Sequence, residues 1–301
     1  NATLGDGLVD LVGGVYYFEE DNFSDFADLF TIASAATPAP QGNTLVLADR
    51  IMTNSTRAYA GYLQGDLNLT EQLKITAGVR YTDETKQFSI RDNRASCNDG
   101  TVEATCLADV NLVVPNGTVI PRKQNVKIWT PRFAVNYKAS NDILLFASAT
   151  KGFKSGGWNA RGTSPSELLP FDAEKAWSYE AGVKSELLDR RLRVNLSAYW
   201  LDVSGLQTPS GFVRANGSIG FVTRNFADYE NKGIELEINA VPARGLNVFA
   251  SFGYQDDKYK IDLNRPVLDA YGVQSVGAQQ AKCLAQLAAG LVPGGNATDC
   301  A

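Results

Sequence analysis

Residues 73–81, Leu73-Lys74-Ile75-Thr76-Ala77-Gly78-Val79-Arg80-Tyr81, alternate without a break: odd positions are apolar, even positions polar or glycine. A period of two puts the five apolar side chains on one face of an extended strand and leaves the other face wet. The alternation returns further along. Trp177, Tyr179, Ala181, Val183 and Leu187 oppose Ser178, Glu180, Lys184 and Glu186. Leu192, Val194, Leu196, Ala198 and Trp200 oppose Arg193, Asn195 and Ser197, while Ile234, Leu236 and Ile238 oppose Glu235, Glu237 and Asn239. Nine strands are expected, over 8–18, 55–69, 73–91, 125–138, 143–153, 173–187, 192–207, 219–240 and 245–262.

Most of these exceed the roughly five or six residues usual for soluble strands. Their connections alternate in kind. Residues 70–72, 139–142, 188–191 and 241–245 read as tight turns, whereas 19–54, 92–124, 154–172, 208–218 and 263–301 are long. Short turns on one side and long loops on the other are the pattern of an up-and-down transmembrane β-barrel. A soluble sandwich or propeller also alternates, but its loops are rarely long on one side only. Aromatic residues cluster at strand ends (Tyr16, Tyr17, Phe18, Trp177, Tyr179, Tyr199, Trp200), as they do at bilayer interfaces. The expected fold is therefore all-β: part of an antiparallel up-and-down barrel, about nine strands of a larger one.

Within that pattern Pro131 predicts a bulge where one ladder hydrogen bond is missing. Two loop segments carry helical spacing: Asp21 to Ser34, with Phe23, Phe26, Leu29 and Phe30, and Gln279 to Leu291, with Leu284, Leu287 and Leu291. The first and ninth strands run the same way, so closing the sheet between them would need a parallel pair. An open antiparallel sheet with two unpaired edges is expected instead, and residues 1–301 are expected to be a fragment of a longer barrel domain.

Composition narrows the chemistry. Histidine is absent, so the chain supplies no Ser-His-Asp or Cys-His dyad and no His-ligated metal site. The net charge of −5 argues against a nucleic-acid partner. No run approaches the ~18 apolar residues of a helical span. The cysteines form two local pairs, Cys97 with Cys106 and Cys283 with Cys300, each inside one long loop and without C-x-x-C spacing. Disulfides within each pair are expected, and with them an oxidising compartment. Residues 151–158, Lys-Gly-Phe-Lys-Ser-Gly-Gly-Trp, are basic and glycine-rich but lack the order of a phosphate loop. Charges of both signs on the wet faces, such as Lys74, Arg80, Lys184, Glu180 and Glu235, read as filling for a hydrated lumen rather than as acid–base pairs. No catalytic, metal or cofactor site is expected, and the chain is not read as an enzyme.

Four marks now stand in order. Gly78-Val79-Arg80-Tyr81-Thr82-Asp83-Glu84, within the hairpin from Tyr59 to Phe88, resembles a barrel hairpin of TonB-dependent outer-membrane receptors. Residues 151–159 resemble that family's passage from strand to loop. Phe171 to Trp177, leading into Ser178-Tyr179-Glu180-Ala181-Gly182-Val183-Lys184, is similar to its YE-x-G-x-K strand, and Asn231-Lys232-Gly233-Ile234-Glu235-Leu236-Glu237 to its next marker strand. The resemblance covers residues 8 to about 262 and implies the middle of a barrel of about 22 strands with a plugged lumen. The plug domain, the TonB box and the closing strand have no counterpart in these residues. What the resemblance implies is energy-coupled uptake of a ferric siderophore or similar large nutrient across the bacterial outer membrane, driven by the TonB-ExbB-ExbD complex. A passive porin-like channel and an outer-membrane hydrolase are the competing readings. Lys154, Trp158 and Arg161 are the expected ligand contacts: two cations for an anionic iron chelate and an indole for aromatic or sugar rings.

Overall fold

The computed structural model describes residues 2–5, 7–32, 43–92, 108–109, 117–159, 167–213, 219–260, 284–285 and 287–289. A short β1 (Ala2–Leu4) leads into β2 (Val9–Ile32), β3 (Asn43–Asn68) and β4 (Leu73–Asp92). The two-residue β5 (Ala108–Asp109) precedes β6 (Lys123–Ser140) and β7 (Ile143–Lys154). A small hairpin, β8 (Gly157–Trp158) with β9 (Pro170–Phe171), comes before β10 (Glu174–Leu187), β11 (Leu192–Val213), β12 (Ile219–Ala243) and β13 (Leu246–Lys260). The nine long strands form one antiparallel meander, each paired with its neighbours in the chain. Among the described residues no ladder joins β13 back to β1 or β2, so the sheet stays open.

Its faces are inverted relative to a water-soluble protein. Val15 is 93% exposed, and Leu63, Val79, Phe133, Leu196, Ile234 and Phe252 also face out. Thr76 and Thr82, on the opposite face of β4, keep only 6% and 4% of their surface. The register carries this division across the sheet: Asp66, Thr76 and Ala134 share the inner face, and Leu67, Ile75 and Val135 the outer. Apolar-out and polar-in is what a lipid-facing sheet around a hydrated lumen requires.

A belt of rings marks the outer face toward the long connections. Tyr17 meets Tyr59 at 5.1 Å, Tyr81 meets Trp129 at 4.7 Å, and Tyr179 stacks on Trp200 at 5.2 Å. Two residues further on, the first two strand pairs carry ion pairs, Glu19 with Arg57 and Asp83 with Lys127, and Asp202, two residues beyond Trp200 on β11, is met by Lys260 of β13. The step from apolar surface through aromatic rings to paired charges is the profile of a bilayer interface.

The other end closes in tight turns. Leu188, Asp189 and Arg190 between β10 and β11 all have positive φ, at 54°, 53° and 65°. The next turn is tied to this one: the Arg191 side chain donates to Val241 O at 3.1 Å and Pro242 O at 2.6 Å.

Three expectations change. The helix predicted from Asp21 to Ser34 is strand as far as Ile32, with 33–34 outside the described residues; pairing with β3 from Asp21↔Ser55 to Ile32↔Asn43 gives its backbone groups partners. Pro131 makes no bulge against β4, since the β4–β6 register passes it unshifted at Val79↔Pro131. Its missing N–H acts on the other side. The β6–β7 ladder ends at Arg132↔Thr150, one step short of Pro131, although both strands continue. The loops expected at 19–54 and 208–218 are mostly strand, so β2–β3 and β11–β12 extend past the aromatic belt. In the predicted helix 279–291, residues 284–285 and 287–288 are helical and Ala289 N–H donates to Ala285 O at 3.0 Å; the remaining positions, apart from Ala289, lie outside the described residues.

Candidate ligand-binding mouth

Where β7 leaves the β6 ladder, the chain crosses the inner face of the sheet. Lys86 Nζ donates to Gly156 O and Gln124 Nε2 to Gly157 O, both at 3.1 Å. A Cβ on residue 156 would come within 2.4 Å of Phe171 O, so only glycine lets the two arms of the β8–β9 hairpin lie this close. Trp158 follows, with its ring stacked on Phe88 at 5.3 Å and its indole N–H donating to Pro121 O at 2.7 Å. Phe88, Ile90, Ile120, Leu168 and Leu169 complete an apolar cluster around it, with Met52 at its edge.

The opposite side of the hairpin is held by side-chain amides from β11 and β12. A register shift after Val203 re-aims this strand pair. Gly205 sits there at φ +66°, its N–H donating to Asp228 Oδ1 at 2.8 Å. Beyond it, Gln207 Nε2 donates to Ser155 O and Asp172 O at 2.9 Å each, with Lys154 O at 3.4 Å. Asn225 Oδ1 accepts from Asp172 N–H at 2.6 Å, and Asn159 Nδ2 donates to Thr223 O at 2.8 Å and Leu169 O at 2.9 Å. A buried Gln207 and half-buried Asn159 and Asn225, each bonded to the backbone of another segment, rigidify what they hold.

The expected contacts fare differently. Lys154 is exposed at the end of β7, opposite Glu174, and its ammonium has no ion-pair partner among the described residues. Trp158 is only 9% exposed, so its indole holds the hairpin rather than presenting a free face. Arg161 and the four cysteines, Cys97, Cys106, Cys283 and Cys300, lie outside the described residues. Sequence reasoning missed Gln207, Asn225 and Asn159. They are uncharged, only Asn159 falls in a quoted motif (at its end, with no role attached), and all three become conspicuous only through partners up to 64 residues away.

The inner face below the mouth is charged in both senses. Lys74 pairs with Asp66 at 2.6 Å, Arg193 with Glu186 at 2.5 Å, and Arg80 lies over the Tyr16 ring at 5.0 Å. Among the described residues no three His, Cys, Asp or Glu side chains converge to hold a metal ion. The arrangement suits polar contact with a bound solute.

Comparison with known proteins bears on this geometry. Residues 2–281 match the family described as TonB dependent receptor-like, beta-barrel. The metal-pseudopaline receptor of Pseudomonas aeruginosa is 28% identical over 208 residues, 69% of this chain and 25% of the receptor. The ferric-pyoverdine 358 receptor of Pseudomonas putida is 28% identical over 72% of this chain and 23% of its own length. The chain thus spans about a quarter of these relatives. Among solved structures, the ferric yersiniabactin uptake receptor of Yersinia pestis superposes with a TM-score of 0.61 at 17% identity, over 85% of this chain and 34% of that one.

Proposed function

We propose a function from one premise, that the chain belongs to the TonB-dependent receptor β-barrel family. Members of this family are outer-membrane β-barrel proteins of Gram-negative bacteria, receptors and transporters rather than enzymes, and the outer membrane is where this chain resides. The complete protein takes up a large metal chelate of the ferric-siderophore class. Residues 1–301 supply part of its barrel domain, with a plug domain elsewhere in the full chain. The TonB-ExbB-ExbD complex supplies the force that moves the plug. One observation supports the ligand class: an exposed Lys154 with no ion-pair partner among the described residues, at the mouth of a polar-lined sheet. Lys154 and Arg161 meet the anionic chelate, and Trp158 keeps the β8–β9 hairpin in place.

The test is growth on a ferric chelate as the iron source. The full-length receptor is expressed in a Gram-negative strain lacking its own siderophore receptors, with and without TonB. TonB-dependent growth on ferric pyoverdine or ferric yersiniabactin is expected. Growth that persists without TonB identifies a passive channel. Failure on every ferric chelate removes the ligand class.

A further inference from the structure

We infer that Gln207 is a positioning residue that pre-organises Lys154 in the mouth, a reading that deepens the uptake proposal and rests on it. A primary amide has two N–H donors. Those of Gln207 face the carbonyls of Ser155 and Asp172 at 2.9 Å, on the two arms of the β8–β9 hairpin, with the Lys154 carbonyl next at 3.4 Å. The Gln207 backbone N–H donates to Glu174 Oε2 at 2.8 Å, and Glu174 is the register partner of Lys154. One residue therefore holds the backbone beside Lys154, the point where the chain returns, and the side chain across from it. Gln207 is itself buried.

The hold spans the sheet. From β4 to β12 the order is β4-β6-β7-β10-β11-β12, five steps of about 4.8 Å, or roughly 24 Å along the sheet. Yet Trp158 stacks on Phe88 of β4 while the next residue, Asn159, bonds to Thr223 of β12. The hairpin ties the two sides of the arc together, and Gln207 fastens its base. An exposed cation on a backbone fixed in this way has only its side chain left to order when it meets a ligand, and that saved backbone ordering is what pre-organisation contributes to affinity.

The isosteres separate this role from simple packing. Gln207→Leu removes both donors at similar volume, and Gln207→Glu replaces them with a group that cannot donate when ionised. In the full-length receptor reconstituted in lipid, hydrogen exchange at 155–159 and 167–172 should rise about tenfold in both variants, as the loss of one or two buried hydrogen bonds implies. Exchange in the β7–β10 ladder at 143–150 should stay as in the wild type. Ferric pyoverdine is the binding probe. Its affinity should fall in Gln207→Leu, and Gln207→Leu combined with Lys154→Gln should bind no more weakly than Lys154→Gln alone. Unchanged exchange in the two arms overturns the assignment, and additive losses show that Gln207 acts by another route. A wild-type receptor that takes up no ferric chelate defeats the uptake reading instead, with the exchange result still deciding whether Gln207 fastens the hairpin.

Discussion

Lys127 reaches Asp83 at 3.1 Å across the β4–β6 ladder, two residues outward of the Tyr81–Trp129 ring pair on the same strands. The pair is exposed, with 61% of the Lys127 side chain open to solvent. Its position relative to the rings, more than its energy, says where the bilayer ends. Lys127→Ala should therefore change stability by less than about 1 kcal/mol in a denaturant titration of the barrel in lipid. Val79→Lys, on the same face of β4 but inside the belt, should cost up to about 2–4 kcal/mol. Similar costs at both positions would remove the assignment of the interface.

Leu196 and Ser197 are neighbours on opposite faces of β11. Leu196→Arg puts a charge against lipid and should also cost up to about 2–4 kcal/mol, whereas Ser197→Arg places it opposite Glu235 on the wet face and should cost far less. A folding titration that finds equal penalties would favour a soluble sheet. Thr76 is a poorer control than alternation suggests, because it is buried and its Oγ1 donates to Asp66 at 2.7 Å.

The turn after β10 holds three consecutive side-chain-bearing residues at positive φ. Each such residue carries a steric penalty on the order of 1–2 kcal/mol that glycine avoids. Asp189→Gly should thus be neutral or stabilising by up to about 1 kcal/mol, after allowing for the freer unfolded chain. Ala181→Gly in the middle of β10, with no such penalty to relieve, should destabilise by roughly 0.5–1 kcal/mol. Thermal melts of the two variants should move in opposite directions or differ clearly in size.

Trp158 makes two separable contributions. Trp158→Phe keeps a ring against Phe88 but loses the bond to Pro121 O, at a cost of about 1 kcal/mol. Trp158→Ala also opens the cluster of Phe88, Ile120 and Leu168, with a local cost of about 3–5 kcal/mol. Exchange of the Phe88 amide, which donates to Arg122 O at 2.9 Å, reports both. Equal effects of the two substitutions would mean that the ring packs little.

Peptide mapping without reductant should find Cys97 joined to Cys106 and Cys283 to Cys300. Free thiols or crossed pairs would set aside the two-loop reading. The nine-residue separation of the first pair would restrict its loop by roughly 2–3 kcal/mol in the chain-entropy account.

Much of the fold was legible because a two-residue period reports the two faces of a strand directly. Residues 73–81 and 192–200 carry the pattern on their own, and their register agrees with it. Strand ends were less legible. Phe23, Phe26, Leu29 and Phe30 have helical spacing, and only the cross-strand ladder to β3 decides the matter. Pro131 announced a missing donor correctly but not which neighbour would lose the bond. At the mouth, the charge of Lys154 and the glycines at 156 and 157 were visible, while the burial of Trp158 depended on Phe88 and Leu168, distant in the chain. Gln207 was not legible at all. An amide declares its role only through the acceptors that the fold brings to it.

The bond between Asn159 and Thr223 also orders events in time. It closes a loop of 64 residues, and β9, β10, β11 and the first residues of β12 lie between its ends. Contacts this distant in the chain form only after the intervening segments have lost their freedom. The hairpin at the mouth can therefore gain its Phe88 side early, as soon as β4 and β7 are in place, but its second anchorage waits for β12. A nascent sheet that stalls after β10 carries the hairpin attached at one end only, with Asp172 and the backbone around Ser155 still hydrated. The finished mouth is a late product of assembly, and its amide bonds record that at least the strands through β12 have been laid down in order.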